Sequence, residues 1–303
     1  MKLVTYKIQQ QEARVGFLYN DLIVDVQRFG SQIGICLPTS MLELIDYGKI
    51  AIQALNEGVA NMKVNWLVGT SVPATNATIL APIPKPRKNI FGIGLNYTEH
   101  VAESARSLDT SKELPQKCVI FSKPTNAIIG PFDAIQHNEN VTKQLDYEGE
   151  LAVIMGSKAT KVGKENALDY VFGYSIINDI SARDCRRSGQ WIVSKGQDTF
   201  APFGPVIVTA DELTNPHNLN LRTLVNGVEK QNSNTKFLLF DVNDIIADIS
   251  ESMTLDPGDI IATGTPAGVG AGRTPQEWMW PGDQVEVIIE GIGSLKNPIV
   301  KAF

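Results

Sequence analysis

One stretch near the middle of the chain restricts the fold more than any other, because five consecutive apolar residues follow two glutamates. Residues 151–155 read Leu-Ala-Val-Ile-Met, an unbroken run that is typical of a strand buried on both faces. Glu148 and Glu150 precede the run at strand spacing, so both side chains project from one face. Two carboxylates that lose water together repel each other unless a cation lies between them. We therefore weigh a site for Mg²⁺ or Mn²⁺, with Ca²⁺ as a further candidate, against a strand start exposed to water.

Short apolar runs separated by Gly, Pro, Asn and Asp recur along the rest of the chain. They predict strands over residues 3–8, 14–19, 22–26, 89–93, 118–121, 171–178, 206–209, 259–263 and 284–289. Helical spacing is rarer, and it predicts helices over residues 41–47, 50–56, 97–105, the segment after Ser181, and 239–252. Gly48 would end the first of these helices, and Asp241 or Asn243 would cap the last. Strands without regular alternation with helices favour an α+β fold that is mostly β.

Proline spacing marks a boundary between two parts of the chain. Residues 81–86 read Ala-Pro-Ile-Pro-Lys-Pro, and three prolines at alternate positions cannot continue a helix or a central strand. We place the boundary just before this stretch, near residue 75. The sequence therefore predicts a small N-terminal module of helices and strands over residues 1–75 and a larger domain over residues 76–303.

Charge and cysteine content exclude several classes of function. The net charge of −6 argues against a general affinity for nucleic acid or for an anionic membrane, although a local cationic site can still bind an anionic substrate. The three cysteines are scattered and lack zinc-ligand spacing, which suits a reducing compartment. The sequence has no run of 18 apolar residues and no start typical of a signal peptide. We therefore expect a cytoplasmic protein that acts on a small molecule.

Further charged residues lie where strands or helices are predicted to end or begin. Asp179 follows the apolar run 171–178 and is a candidate third carboxylate for the cation; alternatively, it pairs with Arg183 along a helix, which is worth roughly 0.2–0.5 kcal/mol. His100 and Glu103 are three residues apart on a predicted helix and share a face. A carboxylate beside imidazole raises its basicity, as a general base for water requires. A solvated helix face is the alternative interpretation of this pair.

Two lysines and a glycine-rich turn are candidates to bind an anion. Lys123 and Lys195 lie beside apolar or turn-rich segments and could bind a substrate carboxylate or stabilise an oxyanion, although exposure to solvent is the usual state of a lysine. Gly264 and Thr265 belong to the stretch 263–270, which lacks the Gly-Lys-Ser/Thr ending of a phosphate loop. Its backbone N–H groups and the Thr265 hydroxyl can still face a small carboxylate.

Several other polar stretches are predicted to lie at the surface of the protein. Residues 104–116 are polar and poorly patterned, which favours a lid over the site. His137 and His217 lie in polar, loop-like stretches, and we expect both at the surface. No Ser/His/Asp or Cys/His arrangement is legible, so covalent catalysis has little support.

Taken in order, the motifs resemble those of the fumarylacetoacetate hydrolase family, from about residue 81 to the C-terminus. The resemblance rests on these segments: Gly-Leu-Asn-Tyr followed by His-x-x-Glu (94–103), Phe-Ser-Lys-Pro (121–124), Asp-Tyr-Glu-Gly-Glu-Leu (146–151), Asn-Asp-Ile-Ser-Ala-Arg-Asp (178–184), Asp-Thr-Phe-Ala-Pro-Phe-Gly-Pro (198–205) and Gly-Thr-Pro-Ala-Gly-Val-Gly (264–270). The resemblance implies a catalytic domain with a mixed β-roll, usually in a homodimer. The N-terminal module is a common but variable addition in the family.

The resemblance also implies a role for each candidate residue. The implied roles are metal ligands for Glu148, Glu150 and Asp179, catalytic groups for His100, Glu103 and Lys195, and substrate-binding groups for Lys123, Gly264 and Thr265. His100 and Glu103 would form a base dyad on a closing lid. One position departs from the family, because Cys185 and Arg186 replace the usual Leu-Gln. Arg186 therefore either makes the site more cationic and binds substrate, or points elsewhere.

The implied activity is divalent-metal-dependent cleavage of a carbon–carbon bond in a small anionic 2-oxo acid, through an enolate that the metal stabilises. Both an oxaloacetate decarboxylase and a hydrolase of the acylpyruvate or fumarylacetoacetate type fit this chemistry. A 2-hydroxyhepta-2,4-diene-1,7-dioate-type isomerase is an alternative enzyme. A non-catalytic binding or assembly protein on the same fold is a further alternative.

Overall fold

The structure is a computed structural model, and it describes residues 1–107 and 113–302. Within these ranges strands outweigh helices, which confirms the prediction of an α+β fold that is mostly β. In chain order the strands are β1 Lys2–Lys7, β2 Arg14–Tyr19, β3 Leu22–Asp25, β4 Ser71–Pro73, β5 Thr78–Leu80, β6 Ile90–Gly94, β7 Val119–Lys123, β8 Ile128–Ile129, β9 Ile135–His137, β10 Leu145–Asp146, β11 Gly149–Met155, β12 Val171–Asn178, β13 Ser181–Ala182, β14 Ala201–Thr209, β15 Asn220–Val225, β16 Val228–Asn234, β17 Ile260–Ala262, β18 Gln284–Ile289 and β19 Gly293–Lys301.

The helices are fewer and shorter than the strands. The α-helices are α1 Val26–Gln32, α2 Met41–Ala60, α3 Thr98–Ser107, α4 Ile192–Lys195 and α5 Val242–Ser252. Short 3₁₀ helices cover Val64–Leu67, Ala74–Asn76, Thr125–Ala127, Lys164–Tyr170, Arg183–Cys185, Thr235–Phe237 and Gly270–Gly272. Gly48 breaks α2 with a φ of 64°, at the position where the sequence predicts a helix end, and Asp241 caps α5 as one of the two predicted caps. None of the helices in the two described ranges combines the length and apolar content needed to cross a bilayer.

One long mixed sheet forms the centre of the molecule, with the strand order β4-β3-β2-β1-β14-β12-β11-β17-β6-β7. Strand β11 lies between β12 and β17, and all seven of its residues are buried, as the unbroken apolar run predicts. Leu151 and Val153 face one core, which α5 covers, whereas Ala152 and Ile154 face a second core beneath α2. Burial of each large aliphatic side chain contributes about 1.5–3 kcal/mol, so two cores hold this strand in place.

The N-terminal strands continue this central sheet. Strand β1 pairs with β14, with Lys2 opposite Val208 and Leu3 opposite Ile207, and the amino group of Met1 donates to Thr209 Oγ1 at 2.6 Å. A second sheet, in the order β16-β15-β18-β19-β9, and the small pair β10-β13 complete the fold. Residue 75 lies in the 3₁₀ helix Ala74–Asn76, and strands from both sides of the predicted boundary pair in the central sheet. The division into two domains stays a prediction.

The predicted helix after Ser181 is wrong. Ser181 and Ala182 form strand β13, which pairs with β10, and only the 3₁₀ helix Arg183–Cys185 follows. Both residues are fully buried, so their backbone groups need partners, and β10 supplies them. Asp179 and Arg183 consequently do not form the helical ion pair that was the alternative interpretation of these residues; each binds other charges.

Two further predictions concern surface segments. The prediction for His137 is wrong, because this side chain is fully buried on β9, where its Nε2 atom lies 3.0 Å from the Thr142 carbonyl oxygen. His217 is half-buried. The predicted lid over residues 104–116 includes residues 108–112, which lie outside the described residues, so the lid stays a prediction.

Candidate active site

The start of β11 and the end of β12 bring the three predicted carboxylates together. Because these strands are antiparallel, with Gly149 opposite Asn178, Glu148 and Glu150 at the start of β11 meet Asp179 directly after β12. One oxygen from each carboxylate lies within 4.8 Å of the others, and all three side chains are buried. The structure therefore excludes the alternative of a strand start exposed to water. Three converging oxygen ligands are a donor set that suits Mg²⁺, Mn²⁺ or Ca²⁺.

Buried cations surround the carboxylates. Lys195 Nζ lies 2.6 Å from Glu148 Oε2 and 2.6 Å from Asp179 Oδ2, so it bridges two of the three candidate ligands. Lys123 Nζ lies 2.5 Å from Asp179 Oδ1. Arg183 Nη2 lies 2.6 Å from Glu148 Oε1, an ion pair rather than an aligned hydrogen bond. The buried cations Lys123, Lys195 and Arg183 therefore offset the negative charges of Glu148 and Asp179.

Glu150 differs from the other two carboxylates of the triad in its partners. Among the described residues it has no ion-pair partner, and it accepts the Gly264 N–H at 2.8 Å. Burial raises the pKa of Glu150 well above its usual range, and the negative charges of Asp179 and Glu148 raise it further. Burial also opposes ionisation of Glu148, but Lys195 and Arg183 outweigh it and hold the pKa of that carboxyl below its usual range.

The charge balance of the cluster fits a bound cation. The cluster itself contains four buried carboxylates, of Asp146, Glu148, Glu150 and Asp179, and three buried cations, Lys123, Arg183 and Lys195. The excess negative charge lies on Glu150, at the point where the three carboxylates converge. A divalent ion there would offset the repulsion that burial imposes on this carboxylate, so the residues present fit the metal that the sequence predicts.

A histidine–glutamate pair on α3 lies over the carboxylates. His100 Nδ1 is 3.2 Å from Glu103 Oε2, and Ser104 Oγ is 3.4 Å from His100 Nε2. Both members of the pair are buried, and His100 lines the same cleft as Glu148 and Glu150. The spacing of three residues therefore produces the predicted contact, because α3 turns both side chains inward.

The glycine-rich turn after β17 fixes Glu103. The Gly268 N–H donates to both carboxylate oxygens of Glu103, at 3.0 and 3.2 Å. At Gly272, a Cβ atom would lie 2.0 Å from the Glu103 carboxyl carbon, so only glycine leaves room for that side chain. The Glu103 carboxylate thus contacts both His100 and the glycine-rich turn, and its fixed position restrains the imidazole.

The three predicted substrate-binding groups make contacts within the protein. Lys123 is fully buried, and its three N–H donors go to Asp179, to the Ile180 carbonyl at 3.2 Å and to the Lys195 carbonyl. Such a lysine holds Asp179 in place. The Gly264 N–H goes to Glu150, as described above. The Thr265 side chain lines the cleft, but its hydroxyl donates to the Gly149 carbonyl at 3.0 Å. Substrate contact by these three residues stays a prediction.

Sequence reasoning assigned no role to Asp146 and considered Arg183 only as a helical partner of Asp179. Asp146 accepts the N–H groups of Gly270 at 2.7 Å and Ala271 at 3.0 Å, and Arg183 Nε donates to it at 2.9 Å. The pair therefore ties the glycine turn to Glu148. A signal was present in the sequence, since Asp146 precedes the buried run 151–155 by a few residues and Arg183 follows the apolar run 171–178. A charge in such a position requires a partner of opposite sign.

Replacement of Lys195 by methionine is expected to separate catalysis from metal binding. The change preserves much of the side-chain length and removes the charge 2.6 Å from two candidate ligands. Turnover should fall by about 10²–10³-fold, the effect of removing one group that stabilises developing negative charge. Affinity for Mn²⁺ should rise, because the ammonium no longer competes with the ion. Calorimetric titration with Mn²⁺ and initial rates on the same samples check both results.

The exposed Lys158 provides a matched control, and Lys158→Met should leave rate and affinity unchanged. If Lys195→Met weakened Mn²⁺ binding as strongly as it slowed turnover, Lys195 would be holding the ligands in place rather than competing with the ion.

The fold and the cleft together define a class: α+β proteins, mostly β, with a carboxylate cation site beside a histidine–glutamate pair. The family model described as fumarylacetoacetate (FAA) hydrolase C-terminal matches residues 89–300. The chain belongs to the fumarylacetoacetate hydrolase family, which confirms the family resemblance of its motifs.

Relatives cover nearly the whole chain. The oxaloacetate tautomerase YisK of Bacillus subtilis (strain 168) is 39% identical over 291 residues, which span 94% of this chain and 95% of that protein. A fumarylacetoacetate hydrolase (EaFAH) from psychrophilic Exiguobacterium antarcticum superimposes with a TM-score of 0.81 at 38% identity, over 100% of both chains. A maleylpyruvate hydrolase from Sphingobium sp. SYK-6, in complex with manganese (II) ion and pyruvate, has a TM-score of 0.78 at 29% identity, over 100% of both chains. All three are named as enzymes, and one holds Mn²⁺.

Proposed function

We propose that this chain is a divalent-metal-dependent enzyme that interconverts the keto and enol forms of a small 2-oxo dicarboxylate of the oxaloacetate type. One observation carries the proposal: a buried carboxylate triad with one uncompensated charge shares a cleft with a histidine–glutamate pair. Tautomerisation needs a base for a carbon-bound proton and positive charge near the 2-oxo oxygen, and this cleft offers both. The name of the Bacillus subtilis relative supports the choice of substrate.

Each residue of the site has its own role in this reaction. His100 accepts the proton from C3 of the substrate at Nε2, since Nδ1 faces Glu103 and carries the other proton. Glu103 keeps the imidazole in this tautomer and stabilises its charged form. Lys195 lines the cleft with its ammonium group beside the triad, where it can give a proton to the 2-oxo oxygen as His100 removes the C3 proton, so that an O–H bond forms as the C–H bond breaks; the reverse transfers give the keto form. A divalent ion held by Glu148, Glu150 and Asp179 would supply Lewis-acid stabilisation of negative charge on that oxygen.

Carbon–carbon bond cleavage is the second candidate reaction. The observation that favours it is the same dyad, because an imidazole oriented by a carboxylate can also activate water for attack on a carbonyl group. The maleylpyruvate hydrolase that superimposes on this chain supports a hydrolytic reaction. Decarboxylation of oxaloacetate and isomerisation of a hydroxydiene dioate are further proposals, since negative charge develops on the oxygen at C2 in both reactions.

The decisive experiment follows enol and keto oxaloacetate by ultraviolet absorbance while a coupled lactate dehydrogenase assay detects pyruvate. Protein with Mg²⁺ or Mn²⁺ is compared with the metal alone, because free ions also accelerate these reactions. Faster interconversion without pyruvate supports the tautomerase, whereas stoichiometric pyruvate supports cleavage. Metal binding without either change, for oxaloacetate, acylpyruvates and hydroxydiene dioates alike, would refute an enzymatic role and favour a binding or assembly protein.

A further inference from the structure

Arg186 is a cation of the cleft to which the described part of the chain offers no carboxylate at ion-pair distance. It follows the 3₁₀ helix Arg183–Cys185, is half-buried, and lines the cleft beside Arg183 and Lys195. Across residues 1–107 and 113–302 its guanidinium makes no hydrogen bond or ion pair, in contrast to Arg183, which binds both Asp146 and Glu148. Its one described contact is with the Trp191 ring, whose centroid lies 5.1 Å from the guanidinium carbon.

The environment of Arg186 is unfavourable for a cation without an anion. Burial lowers the pKa of this guanidinium and the positive charge of Arg183 lowers it further, and together they outweigh the negative charge of Glu148, which raises it. A guanidinium stacked on an aromatic face keeps its N–H groups directed outward in one plane. That plane matches the two oxygens of a carboxylate, which can accept two parallel hydrogen bonds. Arg186 is therefore chemically suited to bind a carboxylate.

The Trp191 ring next to Arg186 is held in place by packing. Trp191 lies against Phe121, with ring centroids 5.2 Å apart. It also fits over Gly94, where a Cβ atom would approach the indole to 2.6 Å. The guanidinium thus lies over a ring whose position is restrained, and both residues line the cleft. Such restraint reduces the conformational entropy lost when an anion binds.

Charges of both signs line the cleft, namely Glu148 and Glu150 on one hand and Arg183, Arg186 and Lys195 on the other. Within the described ranges, Arg183 and Lys195 each pair with Glu148, whereas Arg186 forms no ion pair. We propose that Arg186 binds the substrate carboxylate remote from the 2-oxo group, and so restricts the enzyme to 2-oxo acids that carry a second carboxylate. This inference rests on the proposed function and specifies its substrate class.

The test compares two ligands that differ at the remote end, oxaloacetate and 2-oxobutanoate, in which a methyl group replaces that carboxylate. Dissociation constants for the Mn²⁺-loaded protein are measured by tryptophan fluorescence immediately after mixing, independently of turnover. Arg186→Gln should weaken oxaloacetate binding by about 10–100-fold, the usual effect of losing a charged hydrogen-bonded pair, and leave 2-oxobutanoate binding unchanged. Arg186→Lys should restore part of the loss, because it retains the charge without the planar fork. Arg187→Gln, at the exposed neighbouring position, is the matched control and should change neither constant.

Each outcome bears on the inference separately from the proposed reaction. Equal weakening of both ligands, or no change with oxaloacetate, would overturn the role of Arg186 in selecting the second carboxylate. Selective weakening in a protein that binds oxaloacetate but never converts it would uphold the assignment of Arg186 while refuting the tautomerase. If the wild-type protein bound neither ligand in the presence of Mn²⁺, both the inference and the proposed substrate class would fall.

Discussion

Replacement of Glu150 by glutamine is expected to abolish metal-dependent turnover without destabilising the metal-free protein. Glu150 is the triad member without a cationic partner among the described residues, and its buried charge repels those of Asp179 and Glu148. The amide keeps the shape of the side chain and removes this repulsion. The metal-free variant should therefore be at least as stable as the wild type. It should lose an anionic ligand, and with it the divalent ion.

Thermal unfolding with and without Mn²⁺ measures the loss of binding. At a free metal concentration of 100 times the dissociation constant, the wild type should gain about 2.7 kcal/mol of stability, whereas the variant should gain none. Turnover should fall on the order of 10²–10³-fold or more, since the electrostatic stabilisation that the ion supplies is lost. Glu99→Gln, an exposed substitution on α3, is the control. Normal activity in Glu150→Gln, with an undiminished Mn²⁺ shift, would contradict the metal site.

The same pair of proteins isolates the pH dependence of Glu150. Its pKa in the folded protein is raised above the ordinary value of 4.5. A raised carboxyl pKa contributes stability that is fully present below the unfolded value and is lost as pH rises through the folded value. Without metal, the wild type should therefore lose stability relative to Glu150→Gln as pH rises above 4.5. Mn²⁺ affinity should increase over the same interval, because the ion binds the ionised carboxylate. A stability difference that does not change with pH would show that Glu150 titrates normally.

The triad was predictable because its signals are local. Glu148 and Glu150 show strand spacing, the apolar run after them shows burial, and Asp179 ends the next buried run. Antiparallel pairing of two neighbouring strands is enough to bring these residues together. The break at Gly48 and the cap at Asp241 were equally legible, since each depends on one residue and its own backbone.

Features that depend on distant pairing could not be predicted from the sequence. The pairing of β1 with β14 joins residues more than 200 positions apart, and nothing local specifies it. The segment after Ser181 has a helical pattern, yet burial against β10 turns it into a strand and redirects Arg183 toward Asp146. The distribution of charges also follows from tertiary contacts. Lys123 and Lys195 both converge on Asp179, and only that arrangement leaves Glu150 uncompensated.

Replacement of His100 by asparagine is expected to remove the base while retaining the metal site. The imidazole is the group of the dyad that lines the cleft, and its orientation depends on the 3.2 Å contact with Glu103. Asparagine has similar polarity but cannot accept a proton near neutral pH. Turnover should therefore fall by about 10²–10⁴-fold, the range for loss of a general base. Stabilisation by Mn²⁺ should persist, because the three carboxylates are unchanged.

Two further variants separate the loss of a base from a general effect on folding. His137→Asn removes another fully buried histidine, on β9 and outside the residues that line the cleft, so it should lower stability without changing the rate per folded molecule. Glu103→Gln leaves the imidazole in place but weakens its orientation. The amide has only one oxygen to accept from the Gly268 N–H, and its NH₂ group can then present a donor to His100. Its loss of turnover should be smaller than that of His100→Asn, and the double variant should be no slower than His100→Asn alone, since Glu103 acts through the imidazole. Additive losses in the double variant would mean that Glu103 contacts the reacting groups itself. If His100→Asn no longer gained stability from Mn²⁺, the imidazole would be positioning Glu148 for the metal rather than accepting the substrate proton.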